Sequence, residues 1–373
     1  MRRILFVSEF ASDADWHFQQ LAPALARLPE PIECVPVRGI SANRTGGGLS
    51  PRRIWNGASV YAKLPFALMR QHPQAIFCIT TPPGIQLWCT LLGRLTRTPV
   101  ICWMMDYHPE IEARLIQASK VGRSLARVLR WLDRRSLRRC HGIITLDEAM
   151  ASICRDRAPR ANVETFPPWP ESKLQGLDPA AEPGPDGPLH LLHVGSLGRA
   201  HDPAVLGQLL HTVPDRCRLT LLGADDRTQR AFRELAEKSP VDLSISGHLP
   251  SHEFARTLRE SGAHYGIVLL RDLYAGLVSP SKFTAYVAAS IPLLYIGPPG
   301  TTAHALCIDH SAGVVLTNQA GQAEFIAAAE QLLDPQARMK TRVGMRDARR
   351  WLAQHDAAAF SRLIASMLPP EKT

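Results

Sequence analysis

No run of about 18 apolar residues occurs in this 373-residue chain, so no membrane-spanning helix is expected. Nor do any of its eight cysteines stand at C-x-x-C spacing. Cys34, Cys78, Cys89, Cys102, Cys140, Cys154, Cys217 and Cys307 are scattered, several inside apolar runs such as "AIFCIT" and "VICWMMD". That pattern speaks against a disulfide framework or a zinc site and for buried thiols in a reducing compartment. The dinucleotide fingerprint G-x-G-x-x-G is missing as well. The opening "MRRILFVSEF" falls short of a secretory leader, because its apolar run breaks at Ser8 and Glu9 and no small-residue cleavage site follows. A cytoplasmic protein is the expectation. Acidic residues are outnumbered, 34 against 43 basic, for a net charge of +9. Such an excess invites an anionic partner: nucleic acid, a membrane surface or a phosphorylated small molecule.

What is present is an alternation. Short apolar strands ("RILFVSE", "IECVPVR", "AIFCITTPP", "PVICWMMD", "HGIITL") are separated by helical patterns, among them a long helix over 111–139 with a break near Gly122. Strands buried on both faces and joined through helices argue for a parallel, doubly wound sheet. Residues 166–188 then hold seven prolines and read as an interdomain linker. Beyond it the alternation restarts with "LHLLHVGSL", "CRLTLLG", "VDLSISGHL", "HYGIVLL", "PLLYIG" and "AGVVL", and the tail from Gln322 is helical. The expected architecture is α/β, two Rossmann-like doubly wound domains facing a central cleft. The first domain covers 1–168, a Pro-rich linker 169–188 and the second domain 189–345. A C-terminal helix in 346–373 packs back toward the first.

Ligands of such sheets sit beyond the carboxyl ends of the strands, so the strand exits hold the candidates. In "HVGSLGRAHDP", Gly195 and Gly198 with Arg199 either let backbone N–H groups approach a phosphate or form a tight turn. In "LLGADDR", Gly223 ends a strand, and Asp225 and Asp226 suit a helix N-cap better than a metal. In "ISGHLP", Gly247 and His248 contact a ligand or belong to a solvated loop. The most informative stretch is "GLVSPSKFTAYVAASIPLL". Ser279 can N-cap a helix there and Pro280 suits its first position, which puts Lys282 in the first turn, against the helix dipole. A di-anion at that helix end would turn the misplaced cation into a favourable one. The alternative is a lysine that reaches for solvent.

The order of these motifs, from Gly-x-x-Gly-Arg through "LLGADD" and "SGHLP" to "VSPSKFTAYVAASIPLL", resembles the donor domain of GT-B glycosyltransferases. Within them it is similar to family 4, in the branch of capsule, exopolysaccharide or O-antigen assembly. The likeness is good over 190–316 and weak in the first half. It implies a nucleotide-sugar donor in the second domain, with no cofactor. The diphosphate would lie between loop 195–199 and the helix at Val278, Ser279, Ser281 and Lys282, and the base near Gly247, His248 and Leu249. Arg199 and Lys282 would neutralise the leaving nucleoside diphosphate without a metal, and configuration would be retained. The chain departs from the family at Leu277 and Ala285, where many members carry glutamates, and at Ser290, where they carry glycine. It departs again at Ser196 and His201, where Arg and Lys are usual.

In the first half, "WMMDYHPEIEARL" brings Asp106, His108 and Glu110 to a strand exit. The family places a histidine or aspartate here, near the transferred sugar, where either can accept the acceptor's proton. The bland reading is a capping aspartate and two solvated side chains. "SEFASDADWHF", with Asp13, Asp15 and His17, lines the acceptor side or is a surface loop. Arg123, Arg127, Arg130, Arg134 and Arg138 recur at helical spacing, with Leu125, Val128, Leu129 and Leu132 opposite as a core face. The basic face is either solvated or a dock for anionic lipid, which suits a lipid-linked acceptor. No aromatic interleaving supports nucleic acid. Two rival readings are a non-hydrolysing nucleotide-sugar epimerase, which needs more carboxylates than are present, and a degenerate nucleotide-sugar-binding subunit.

Overall fold

The computed structural model describes residues 2–9, 16–37, 51–181, 187–213, 217–239 and 241–370. The loop that bears Asp13 and Asp15 lies outside them, as does the middle of the proline-rich stretch, 182–186. The chain forms two units.

Unit 1 comprises Met1–Pro167, Gly276–Ser279 and His355–Thr373. Its strands are β1 (Arg2–Val7), β2 (Ile32–Val37), β3 (Ala75–Ile79), β4 (Val100–Met104), β5 (Gly142–Thr145) and β6 (Asn162–Thr165). They pair in the order β2-β1-β3-β4-β5-β6, every ladder parallel. All residues of β3 and β4 are buried, which is why they read as continuous apolar runs. β6, "NVET", is an edge strand with three exposed residues, and its sequence carries no apolar signal.

Unit 2 comprises Pro168–Ala275 and Pro280–Gln354. Its strands are β7 (His190–Val194), β8 (Cys217–Leu222), β9 (Val241–Ser246), β10 (Tyr265–Leu269), β11 (Leu293–Ile296) and β12 (Gly313–Leu316). Their order is β12-β11-β10-β7-β8-β9, again all parallel. The first strand of the unit thus lies between the second and the fourth. The helices change sides there, and the crevice beyond β7 and β10 is the topological switch point.

The unit boundaries differ from those expected. Residues 169–181 are no free linker, since Leu174, Leu177 and Ala180 pack on the core of unit 2. At the other end the change of unit falls at 354/355, not at 345/346. Pro335–Ala353 is one uninterrupted helix whose Met345, Ala348 and Leu352 are buried in unit 2. The final helix, Ala357–Met367, sends Phe360 into unit 1, 4.6 Å from the Trp103 ring and 4.9 Å from Phe166.

The expected long helix is two helices, Glu110–Leu115 and Lys120–Leu137, with Ser119 capping the second through the Gly122 N–H at 2.9 Å. Gly122 is required, because a Cβ there would stand 1.7 Å from the Ile116 carbonyl oxygen. The second helix is rotated away from the expected core face. It buries Gly122, Ala126, Asp133, Ser136 and Leu137, while Leu125 and Val128 are half exposed. An ion network sets that rotation. Arg157 meets Asp133 and Glu110 at 2.6 Å each, and Arg130 meets Glu110 at 3.0 Å. Burial raises Glu110, but the hydrogen bonds from Arg130 and Arg157 outweigh it and hold the carboxyl below its usual range. Glu110 is therefore a buried structural anchor and not part of an exposed cluster with Asp106 and His108.

Arg157→Ala leaves the buried Asp133 without its cation and takes one of its cations from Glu110. It should destabilise unit 1 by about 3–5 kcal/mol, read as a fall in the urea midpoint.

Candidate functional site

The β7/β10 ladder is short, pairing Tyr265 with Leu191 and Gly266 with Leu192. Past that point the Tyr286 hydroxyl stands between the strands. It accepts from the Val194 N–H at 3.0 Å and faces the Leu192 and Ile267 carbonyls at 3.1 and 3.2 Å. The hydroxyl replaces the ladder bonds that the splayed strands lose. Gly266 admits the ring, since a Cβ there would lie 2.4 Å from it.

Tyr286 belongs to the helix Phe283–Ala288, and Lys282 precedes that helix. This start differs from the expected one. Ser279 does not cap the helix, and Val278 and Ser279 belong to unit 1. There Asp106 and Val278 form an antiparallel bridge, and the Tyr107 N–H donates to the Leu277 carbonyl at 2.8 Å. The buried Ser279 hydroxyl lies near enough to Asp147 to favour its ionised form, short of an aligned hydrogen bond. Burial dominates all the same and pushes Asp147 up to about 6. Ser281 is exposed.

Lys282 turns inward across the switch point. Its Nζ donates to the Ser196 carbonyl at 2.6 Å and stands 3.1 Å from His193 Nε2. Burial brings Lys282 down to about 7. His193 is 1% exposed, and burial together with the charge on Lys282 holds it well below the usual histidine range. The same causes bring His201 down to about 4. Three basic side chains thus crowd one place, each made less basic by desolvation and the histidines also by Lys282. The carboxylate bearing on Lys282 is Asp225. It is committed to capping the helix Asp226–Lys238 through the Thr228 N–H at 2.9 Å, as its N-cap reading expects.

The glycines act differently from a phosphate-binding amide cradle. The Gly195 N–H donates to the Leu222 carbonyl at 2.8 Å, and the Gly198 N–H to His201 Nδ1 at 2.9 Å. What Gly195 and Gly223 supply is room. Both are left-handed, at φ 68° and 67°, and neither has an atom within 4 Å of where a Cβ would be. Arg199 is exposed beside them. Gly247, His248 and Leu249 follow β9, two strands from β7 and so about 10 Å away, while the Lys282 Nζ is engaged with Ser196 and His193. Ser290 is left-handed at φ 57°, a conformation that favours glycine, and Arg349 donates to its hydroxyl at 3.2 Å. His193 escaped the sequence reading, and His201 entered it only as a departure from the family pattern. The available signal was a titratable residue inside an apolar strand, two positions before Gly195.

In unit 1 the β4 exit is held from several sides. Thr80 Oγ1 donates to the Asp106 carbonyl at 2.7 Å, Gln86 Nε2 donates to the His108 carbonyl, and Tyr107 donates to Asp133 at 3.1 Å. His108 Nδ1 faces Glu112 Oε1 at 2.6 Å. Asp106 does not cap the following helix, whose N-cap position is Pro109. His17 is a core residue, edge-on to the Trp103 ring at 5.0 Å, and does not belong to an exposed acceptor loop.

No protein-family model and no curated protein matches the chain. Solved structures do. The chain is similar to sucrose-phosphate synthase from Thermosynechococcus elongatus, at 13% identity and a TM-score of 0.67 over 98% of both chains. It is similar to Anabaena HepE, whose structure holds UDP-glucose, at 14% identity and a TM-score of 0.64 over 99% of both. WaaG, a glycosyltransferase involved in lipopolysaccharide biosynthesis, matches at 12% identity and a TM-score of 0.62 over 99% of this chain and 100% of its own. What is shared at these identities is the fold, the two-domain Rossmann-like arrangement called GT-B.

An anion at Lys282 should favour its protonated form. Binding of inorganic pyrophosphate, followed by calorimetry, should therefore be strongest below pH 7 and weaken as the pH rises above it. Lys282→Met should remove both the binding and its pH dependence.

Proposed function

We propose that the chain is a glycosyltransferase. It moves a sugar from a nucleotide-diphosphate donor to a hydroxyl of a lipid-linked glycan in cell-surface polysaccharide assembly, in the manner of family 4. The observation that carries this reading is the basic group at the switch point. Lys282, His193 and His201 crowd together beside the open Gly195 turn, where an added diphosphate would relieve their mutual repulsion. The shared fold of HepE and WaaG supports it.

In this reading Lys282, with Arg199, meets the charge that develops on the leaving nucleoside diphosphate, the work a metal would otherwise do. Gly223 and Ser281 border the phosphates, and Gly247, His248 and Leu249 the base. Asp106 and His108 serve the acceptor. Family likeness brings retention of configuration with it, but Leu277 and Ala285 withhold the carboxylates that accompany it.

The enzyme works at the cytoplasmic face of the membrane. No helix among the described residues is long and apolar enough to span it, but Lys120–Leu137 suits lying on it. Arg123, Arg127, Arg134 and Arg138 are exposed along one flank, and Arg130 is drawn down to Glu110. Val121, Leu125, Val128 and Trp131 are exposed along the other, at 80%, 50%, 52% and 59%. Cations beside an apolar stripe with a tryptophan fit the interface of an anionic bilayer.

A thermal-shift screen of UDP, GDP and their sugars should find a stabilising nucleotide. Lys282→Ala should weaken UDP or GDP binding at least about 100-fold by calorimetry, and undiminished affinity would sink the phosphate assignment. The chain should float with phosphatidylglycerol vesicles at low salt, and the triple charge reversal Arg123→Glu, Arg127→Glu, Arg134→Glu should release it.

A further inference from the structure

We propose a second anion site in unit 2, at the amino end of its sheet, where His264 and Arg338 hold a phosphate group, free or as a monoester. It lies at the opposite edge of the sheet from Lys282 and uses none of the residues assigned to donor binding. It does not depend on the glycosyltransferase reading.

Two histidines stand side by side there, His190 at the start of β7 and His264 just before β10. Both are buried, His264 at 6% exposure. The His264 N–H donates to the His190 carbonyl at 2.8 Å. His190 has a partner for each ring nitrogen. Its Nδ1–H donates to the Gly262 carbonyl at 3.3 Å, and its Nε2 accepts from the Thr220 hydroxyl at 2.8 Å. His264 is different. Its Nδ1 accepts the His190 backbone N–H at 3.0 Å, a donor that cannot turn away. Burial first, then the charges of Arg338, His190 and Arg342, bring His264 down to about 4, so the ring is neutral at pH 7. A neutral imidazole carries one proton, and here Nε2 must hold it. Yet Nε2 faces Arg338 Nη1 at 3.2 Å, and a guanidinium has only donors. Two N–H groups thus point at one another without an acceptor, an opposition that is costly beside a buried ring.

Arg338 is held in that position, because its Nε donates to the Leu332 carbonyl at 2.6 Å. It forms no ion pair among the described residues. Burial makes it less basic, and the carboxylate bearing on it is Asp334. That carboxylate is engaged in capping the helix Pro335–Ala353 through the Ala337 N–H at 2.7 Å. Arg342, one turn further along the helix, bears on His264 and Tyr265, and Arg218 bears on His190 from β8. Three arginines therefore share one carboxylate, an excess of positive charge that a phosphate dianion would balance. A single phosphate oxygen within hydrogen-bond distance of both Nη1 and Nε2 converts the opposed donors into a clamp. Pyrophosphate carries more charge than that excess and fits it less well.

The test is calorimetry and thermal shift with inorganic phosphate, glucose 6-phosphate and glycerol 3-phosphate. Both the wild-type chain and Lys282→Met are used, so that the switch point is told apart. One equivalent should bind in each protein and raise its melting temperature. Tighter binding of a monoester assigns the site to a phosphorylated metabolite, and tighter binding of inorganic phosphate assigns it to the free ion. His264→Asn keeps an acceptor for the His190 N–H but removes the Nε2 donor, and should weaken binding at least about tenfold. Arg338→Gln should weaken it about 100-fold. Neither substitution should change UDP or GDP affinity. Nitrogen-15 NMR should find the His264 proton on Nε2. A proton on Nδ1, no binding of any of the three anions, or unchanged affinity in either variant overturns the site and leaves the glycosyltransferase reading untouched.

Discussion

The placement of the Tyr286 hydroxyl between β7 and β10 is the constraint on which the second unit's chemistry depends. Parallel strands left to themselves would continue their ladder to the carboxyl edge. A buried phenol that meets one N–H and two carbonyls lets them part without leaving orphaned backbone groups. The same short helix then fixes where Lys282 begins. Because the strands part, the lysine reaches Ser196 and His193 rather than solvent. A tyrosine with no chemistry of its own thereby decides that three basic side chains meet.

Unit 1 relies on an analogous anchor of opposite character. Glu110, Asp133, Arg130 and Arg157 form a buried ionic group that ties the β4 exit to two helices. A buried ion network is a poor source of net stability but a strict specifier of geometry. Here it fixes the rotation of Lys120–Leu137, which turns Leu125, Val128 and Trp131 outward. It also fixes the loop bearing Asp106 and His108. That loop further pairs with Leu277 and Val278, a segment the chain inserts into unit 1 just before it returns to Lys282.

Much of the fold was legible because its strands are buried on both faces. "AIFCI" and "VICWM" can be little else than central parallel strands, and eleven of the twelve strands among the described residues were located from their apolar patterns. β6 was not, because an edge strand with polar side chains resembles a loop. Of the candidate site, Gly195, Gly198 and Arg199 were singled out from their position at a strand exit, and Lys282 from its place at a helix start against the dipole. His193 was not, since a histidine in an apolar strand gives no sign of which way it points. Glu110 was read with Asp106 and His108 as one cluster, because sequence spacing cannot tell a carboxylate that turns into an ion network from one that stays at the strand exit.

The sequence by itself determined the alternation of buried strands and helices, the two-unit architecture and the strand exits at which a ligand would be met. These follow from local periodicity, which side-chain chemistry alone controls. Only the tertiary structure decided that Ser279 serves unit 1 and not the helix, that the glycine amides are already engaged, and that Lys282 faces two histidines. These depend on which residues distant in the chain share a desolvated space. Burial and approach distance, not residue type, set the charge and partners of a polar group.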